Sequence, residues 1–466
     1  MEVISHLNIK ISGFPFQKII ALRMRHNPNE HGTAEIEGEI EASLAENLVQ
    51  RVDEKTEVAI TTTAEGQPEK LFCGCVKNIS MRQEKFYSYV KLELYTTSRC
   101  MDITKKNKTY QNTAKTYGMI LSEDISEIAD LHMMVSDKAI GNLIMKYNET
   151  DWEFSRRMAS QLNAPLITDI YSARPQIYIG MPPASKTITV ESSAYSYGSD
   201  VANYSKETEA MMQDFAGEQV SSDQYAYMGD QISMNGKMER IKSVYACLQD
   251  GIMHMKYGLM EGTSTSAGGS MAGIKAKAED SKASGKMMKG IVKAVQRDKV
   301  QVHLTDIDSS YDSGGNWWFP FSTAYSSSDG SGWYCMPETG DEVRVFFPSG
   351  SEGDAFAASS ICMNPPTNPR HKSWKAPGGK EILLTDEGMY IIGKSGKIYI
   401  NLTDEKGVEI HSDKNITITS DAKINITAAD ELHVVATNEI VIGTEEAYLS
   451  LTQNTATLAA SEVLIN

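Results

Sequence analysis

From Ile400 to Asn466, apolar residues recur every eight positions. One ladder runs Ile400, Val408, Ile416, Ile424, Leu432, Ile440, Tyr448, Ala456, Leu464. A second, two residues on, runs Leu402, Ile410, Ile418, Ile426, Val434, Ile442. Polar residues separate the rungs, as in Asn415-Ile-Thr-Ile-Thr419, which is the alternation of a strand with one apolar face. Small residues (Ser412, Ser420, Ala428, Ala436) precede Asp413, Asp421, Asp430 and Asn438, the residue types that suit tight corners. The register slips at Ser450, which Leu449 and Leu451 flank. One extra residue in the corner after Gly443 turns both leucines to the apolar side, and Leu458 restores the count.

A short fixed period predicts stacked units, none of which buries its own apolar face. Eight residues make one short strand and a corner, whereas a single-chain coil needs roughly twenty per turn to enclose a core. The stripe must therefore face copies of itself. Burying each rung yields about 1.5–3 kcal/mol, while ordering the backbone costs about 1–2 kcal/mol per residue. A lone chain with its stripe in water does not repay that cost. The expectation is an obligate homotrimer, an intertwined β-prism over 380–466. Its core is expected to be Val408, Ile410, Ile416, Ile418, Ile424, Ile426, Leu432, Val434, Ile440, Ile442, Leu451 and Leu458.

Upstream the period is two, then longer, then two again. Val3, Leu7, Ile9 and Ile11 alternate with polar residues, as do Ala34, Ile36, Gly38 and Ile40, and Val90, Leu92 and Leu94. Such short strands predict barrels or sandwiches. The clearest helix is expected over Asp151 to Leu162, opened by a Thr150/Glu153 capping box, with Trp152, Met158, Ala159 and Leu162 on one face. Residues 263–285 are Gly/Ser/Ala-rich without apolar period and read as a flexible linker closing a unit over 1–262. Four short strands over 286–363 (Gly290-Ile-Val-Lys-Ala-Val295, Val300-Gln-Val-His-Leu304, Trp317-Trp-Phe-Pro-Phe321, Glu342-Val-Arg-Val-Phe-Phe347) predict a small OB-type barrel. Proline-rich 364–379, with Asn364-Pro-Pro-Thr-Asn-Pro369, reads as a stiff linker into the repeat.

A formal charge of −16 argues against nucleic acid and anionic membrane as main partners. The OB segment has six Lys/Arg against ten Asp/Glu from Lys286 to Cys362, so Trp317, Trp318, Phe319, Trp333 and Tyr334 are assigned to packing rather than base stacking. No apolar run reaches the ~18 residues a span needs, and no stable membrane insertion is expected. The N-terminus alternates like a strand and lacks a signal-peptide pattern, so assembly in the cytoplasm is expected. Six cysteines in 466 residues are no disulfide framework, and Cys73 and Cys75 are expected as buried strand thiols. Asp306, Asp308, Ser310 and Asp312 imitate half a calcium loop, but Tyr311 and Trp317 replace its glycine and glutamate, leaving a turn. Histidines lack metal spacing and no nucleophile or phosphate-loop motif is present, so neither catalytic residues nor a metal or other cofactor is expected. The fourteen acidic residues from Gly378 to Asn466 suit exposed corners. A polysaccharide-cleaving spike would need two of them in a groove, which keeps a tail-spike depolymerase as the alternative reading.

Lys146-Tyr-Asn-Glu-Thr-Asp-Trp-Glu-Phe154, followed by an amphipathic helix and a strand, resembles the Tyr-Asn-Glu-Ser/Thr-Asp segment of VgrG and phage tail-hub proteins. Pro337-Glu-Thr-Gly-Asp-Glu-Val343 resembles the Pro-x-x-Gly-Asp-x-Val signature of that family's OB domain. Hub, OB barrel and eight-residue prism in that order are similar to the central spike of a contractile injection system. The resemblance implies a mainly β fold in which paired hub barrels trimerise. It implies as partners an inner tube protein, baseplate proteins, a PAAR-like tip seated near Leu464, Ile465 and Asn466, and effector cargo. It implies work in an injection particle, extracellular or delivered into a target cell.

Overall fold

The computed structural model describes residues 3–463, apart from 65, 86, 191–194, 200–215, 261–273 and 278. The chain divides into two compact units, Met1–Met363 and Asn364–Asn466. It is mainly β.

The first unit is built on a twelve-stranded sheet whose halves come from residues 9–96 and 187–260. They join where Lys18–His26 pairs antiparallel with Lys237–Gln249, setting His26 opposite Val244. Alternation dictates the faces: Thr33–Ile40 buries every second residue, so Ala34, Ile36 and Ile40 enter one core with Val90, Leu92 and Leu94. At the N-terminus the expected alternation forms a strand only at Ile9–Ile11. Residues 6–8 turn instead, leaving Leu7 82% exposed. Cys73 is buried in its strand and donates to Glu57 Oε1 at 3.1 Å; burial pushes its thiol up to about 12.

Between the halves lies a small α/β part with its own core. Its principal helix, Asp151–Gln161, begins with both bonds of the Thr150/Glu153 capping box in place. Trp152, Met158 and Ala159 are buried on its inner face and Leu162 packs beside them. A second helix, Tyr117–Ile125, is only nine residues long, too short for its period to stand out; it buries Tyr117, Ile120, Leu121 and Ile125 and exposes Ser122 and Glu123.

Residues 286–363 form a five-stranded sheet in the order Phe319–Pro320, Lys299–His303, Met287–Gln296, Glu342–Phe346, Phe356–Ser360. The Ser322 amide donates to Ala357 O at 2.8 Å, joining the two ends into a barrel. Val292, Val302, Phe319, Val343 and Val345 fill it, with Trp317 edge-on to Phe319. Trp333 and Tyr334 stay exposed. The acidic turn is spent on backbone: Asp306 accepts from the Lys289 amide, Asp308 from Thr109 and Asp312 from Gly314.

The described part of the expected flexible linker is packed. Ile274 is buried against Ile167, Met181 and Met228. The Ala276 amide donates to Ala164 O and the Ser281 amide to Gly350 O, each at 3.0 Å. A few well-placed apolar residues and backbone bonds suffice to hold a segment whose composition suggested freedom; residues 263–273 and 278 lie outside the described residues.

In the second unit, five strands (Lys372–Lys375, Glu381–Leu384, Gly388–Ile392, Ile398–Thr403, Gly407–Ser412) form an antiparallel meander. Three more (Glu439–Gly443, Tyr448–Thr452, Ala456–Ala459) form another. Between them, segments 415–420, 423–428 and 431–436, outside any named strand, alternate with bends at 413–414, 421–422, 429–430 and 437–438.

Candidate functional site: an apolar face and a buried ionic seam

In the first meander the register Ile400↔Ile410 and Leu402↔Val408 puts four rungs on one face. Ile391 opposite Ile400 and Met389 opposite Leu402 extend that face, as do Ile382 and Leu384. Tyr399, Asn401, Glu409 and His411 occupy the other: Tyr399 Oη donates to Glu409 at 3.1 Å and its ring stacks on His411. In the second meander Ile440 stands opposite Leu451, and Ile442 opposite Leu449, which in turn faces Leu458. Both leucines around the slip therefore share the face of the isoleucines, while Ser450 points away and donates to Glu439 at 2.6 Å.

That apolar face is uncovered within the chain. Ile418 is 71% exposed, Ile426 69% and Val408 68%; Ile410, Ile416, Ile424, Leu432, Val434, Ile442, Leu451 and Leu458 are also exposed, and Ile440 is half-buried. The meanders bring Val408, Ile410, Ile440, Ile442, Leu451 and Leu458 beside other rungs. Ile416, Ile418, Ile424, Ile426, Leu432 and Val434 lie on segments with no strand partner among the described residues. Leu464, Ile465 and Asn466 lie outside the described residues. Large contiguous apolar surface of this kind marks an interaction site.

Ile382, Leu384, Met389 and Ile391 precede the strict repeat, and only their cross-strand register identifies them as rungs. Leu449 had a signal, since it flanks the slip together with Leu451.

The seam between the small α/β part and the barrel is built from buried charge. Arg157 makes a two-pronged pair with Glu149, both bonds 2.8 Å, and reaches Glu352 of the barrel at 3.0 Å. Burial alone would lower its pKa, but the hydrogen bond and charge of Glu149 and the charge of Glu352 carry it above the usual guanidinium value. Lys146 is fully buried; its Nζ lies 2.5 Å from Asp124 and also contacts Asp151, which Lys106 reaches at 2.7 Å. Gln111 Nε2 donates to Val302 O at 3.0 Å, and the Asn316 amide donates to Gln111 O at 3.0 Å. Leu143 and Met145 enter the barrel's core beside Glu352. Within the motif, Glu149 reaches this seam through Arg157, while Lys146 and Asp151 pair inside the α/β part.

Residues 288–361 match the family described as the type VI secretion system/phage-baseplate injector OB domain. The chain carries that injector OB domain. The fold around it is shared with a type VI secretion system component and a chain of a VgrG-containing complex. The chain is similar to the E. coli c3393 protein, a component of the type VI secretion system, at 13% identity and TM-score 0.56, covering 76% of this chain and 99% of that one. It is also similar to a chain of the Francisella PdpA-VgrG complex, at 9% identity and TM-score 0.52, covering 87% of each chain. No curated protein matches the chain by sequence. No group of three or more His, Cys, Asp or Glu among the described residues could hold a metal. No helix among them is long and apolar enough to cross a membrane.

Proposed function

We propose that the chain is the structural, non-enzymatic spike of a contractile injection system: a homotrimer whose first unit caps the inner tube and nucleates the baseplate, and whose second unit pierces the target envelope. The observation that carries this reading is the uncovered ladder of Ile416, Ile418, Ile424 and Ile426 on segments without strand partners, in a chain that also holds an injector OB domain. Two sister copies supply both missing partners at once, apolar cover and backbone hydrogen bonds. The buried Arg157–Glu352 pair supports the mechanical role, since it ties the α/β part to the barrel.

Inner tube protein, baseplate proteins and a PAAR-like tip at Leu464 to Asn466 are the proposed partners, with effector cargo travelling on the tip. Francisella VgrG in complex with PdpA supports partners of this type. Light scattering of the purified full chain tests the assembly and should return three copies per particle at working concentration; a well-folded single copy overturns the reading. Incubation with capsular or cell-wall glycans should leave them intact, and chain shortening would move the assignment to a depolymerase.

A further inference from the structure

In the first unit the twelve-stranded sheet and the α/β part each have a core, and the joint between them is largely polar. The turn that links Lys18–His26 to Thr33–Ile40 lies against Leu166–Thr168. The Asn29 amide donates to Leu166 O at 2.8 Å, and Asn29 Oδ1 accepts from the Leu166 amide at 2.9 Å. The Cys73 amide donates to Ile170 O at 2.6 Å, and Thr97 Oγ1 donates to Ser172 O at 3.0 Å. Gly32 fits only without a side chain, since a Cβ there would lie 2.7 Å from Ile170 and 2.8 Å from Thr96. Packing this close strips water from any charge at the joint, which makes a charge costly there.

Two histidines stand in this joint. His26, 3% exposed, donates from Nε2 to Thr168 O at 2.7 Å, and its Nδ1 has no protein partner. His31 lays its ring on Trp152 of the helix Asp151–Gln161, with centroids 4.0 Å apart. Its Nδ1 is 2.8 Å from Ser98 Oγ and its Nε2 is 3.6 Å from Asp102. We propose that the joint is a proton-operated hinge: neutral His26 and His31 hold the α/β part against the sheet, and their protonation frees it while both cores stay folded. For His26, burial opposes the charge and only the Thr168 carbonyl favours it. For His31, burial again opposes most; Asp102 favours the charge, and Arg99 and Arg156 repel it. Asp169 works the other way. It accepts from Ser172, its Oδ1 has no protein partner, and burial keeps it protonated up to about 6. Ile167, between the joint's own carbonyls, packs on Met181, Met228 and Ile274, and the Tyr171 ring lies 4.6 Å from that of Tyr227. Neither contact changes charge between pH 7 and 5, so this side is the axis about which the joint opens.

Closed, both imidazoles are held at about 4; released, they return to 6.5. Between pH 7 and 5 each therefore raises the opening equilibrium about 20-fold, and Asp169, at about 6 closed and 3.8 released, lowers it about tenfold. The net rise is on the order of 50-fold. Hydrogen exchange of the full chain at pH 7 and pH 5, corrected for the intrinsic rates, reads it. Peptides carrying the Asn29, Cys73 and Leu166 amides should exchange about 50-fold faster at pH 5. Those from Thr33–Ile40 and from Asp151–Gln161 should keep their protection. Joint and cores losing protection together would mean that the unit simply unfolds, and overturns the hinge; so does a joint that does not change. In a His26→Gln/His31→Gln variant the acceleration should vanish, and a joint that still opens in acid overturns the role given to the histidines. Exchange of the imidazole C2 hydrogens in the unmodified protein covers the case of a variant that does not fold. Both rings titrating near 4 support the hinge, and both titrating near 6.5 refute it.

Discussion

Replacing Ile426 by Asp separates the assembled needle from a lone chain most sharply. In a single copy Ile426 is 69% exposed and its segment is unpaired, so the change should alter stability by no more than about 0.5 kcal/mol. In the proposed trimer three copies of the residue would meet at the axis. Covering the exposed two-thirds of each isoleucine is worth about 1–2 kcal/mol, and all three contributions are lost. Three carboxylates then sit close together in an apolar core, where each unpaired charge costs several kcal/mol or must take up a proton. The total is on the order of 15 kcal/mol per trimer, as large as the whole stability of a typical domain. Ile426→Val removes one methylene per copy and should cost about 1 kcal/mol each without dissolving the assembly. Sedimentation velocity and thermal melting read both variants. An Ile426→Asp protein that sediments as an intact trimer with unchanged melting would mean that this ladder does not face the axis.

Three further outcomes concern the first unit. Lys146→Ala should destabilise it by about 3–5 kcal/mol, because Asp124 and Asp151 are left buried beside the single remaining cation Lys106; a denaturant midpoint equal to the parent's would show that the cluster is solvated. Gly74→Ala should be among the most damaging small substitutions, since a Cβ there would lie 2.0 Å from Tyr95 O of the neighbouring strand; calorimetry showing a shift under a degree would contradict that packing. Acidification should weaken the unit. Burial holds His26 and His31 at about 4, below their usual 6.5, so unfolding takes up protons between those values and stability falls as pH falls. Asp169, raised by burial to about 6, acts in the opposite sense between pH 6 and 3.8, but two histidines outweigh one aspartate. Melting temperature should therefore drop from pH 7 to 5, and less steeply in His26→Gln; a flat profile in the parent would refute the burial of these rings.

The sequence by itself determined the alternation of the strands, the capped helix at Thr150 and the OB segment. It also determined the apolar ladder and the slip at Ser450. Each is a local pattern, set by a period of two or by residues three apart, and the backbone at those positions has one way to bury the apolar side. Tertiary structure decided what the period leaves open. Antiparallel return and continued winding both keep every second residue on one face. Only the pairing therefore distinguishes the meander at Ile400↔Ile410 from the unpaired middle at Ile418 and Ile426. The seam was equally hidden. Arg157 and Glu352 meet across 195 residues, and nothing local at either position tells a buried pair from two solvated charges. A charge enters the interior only where the fold supplies its opposite, and that partner is chosen in three dimensions.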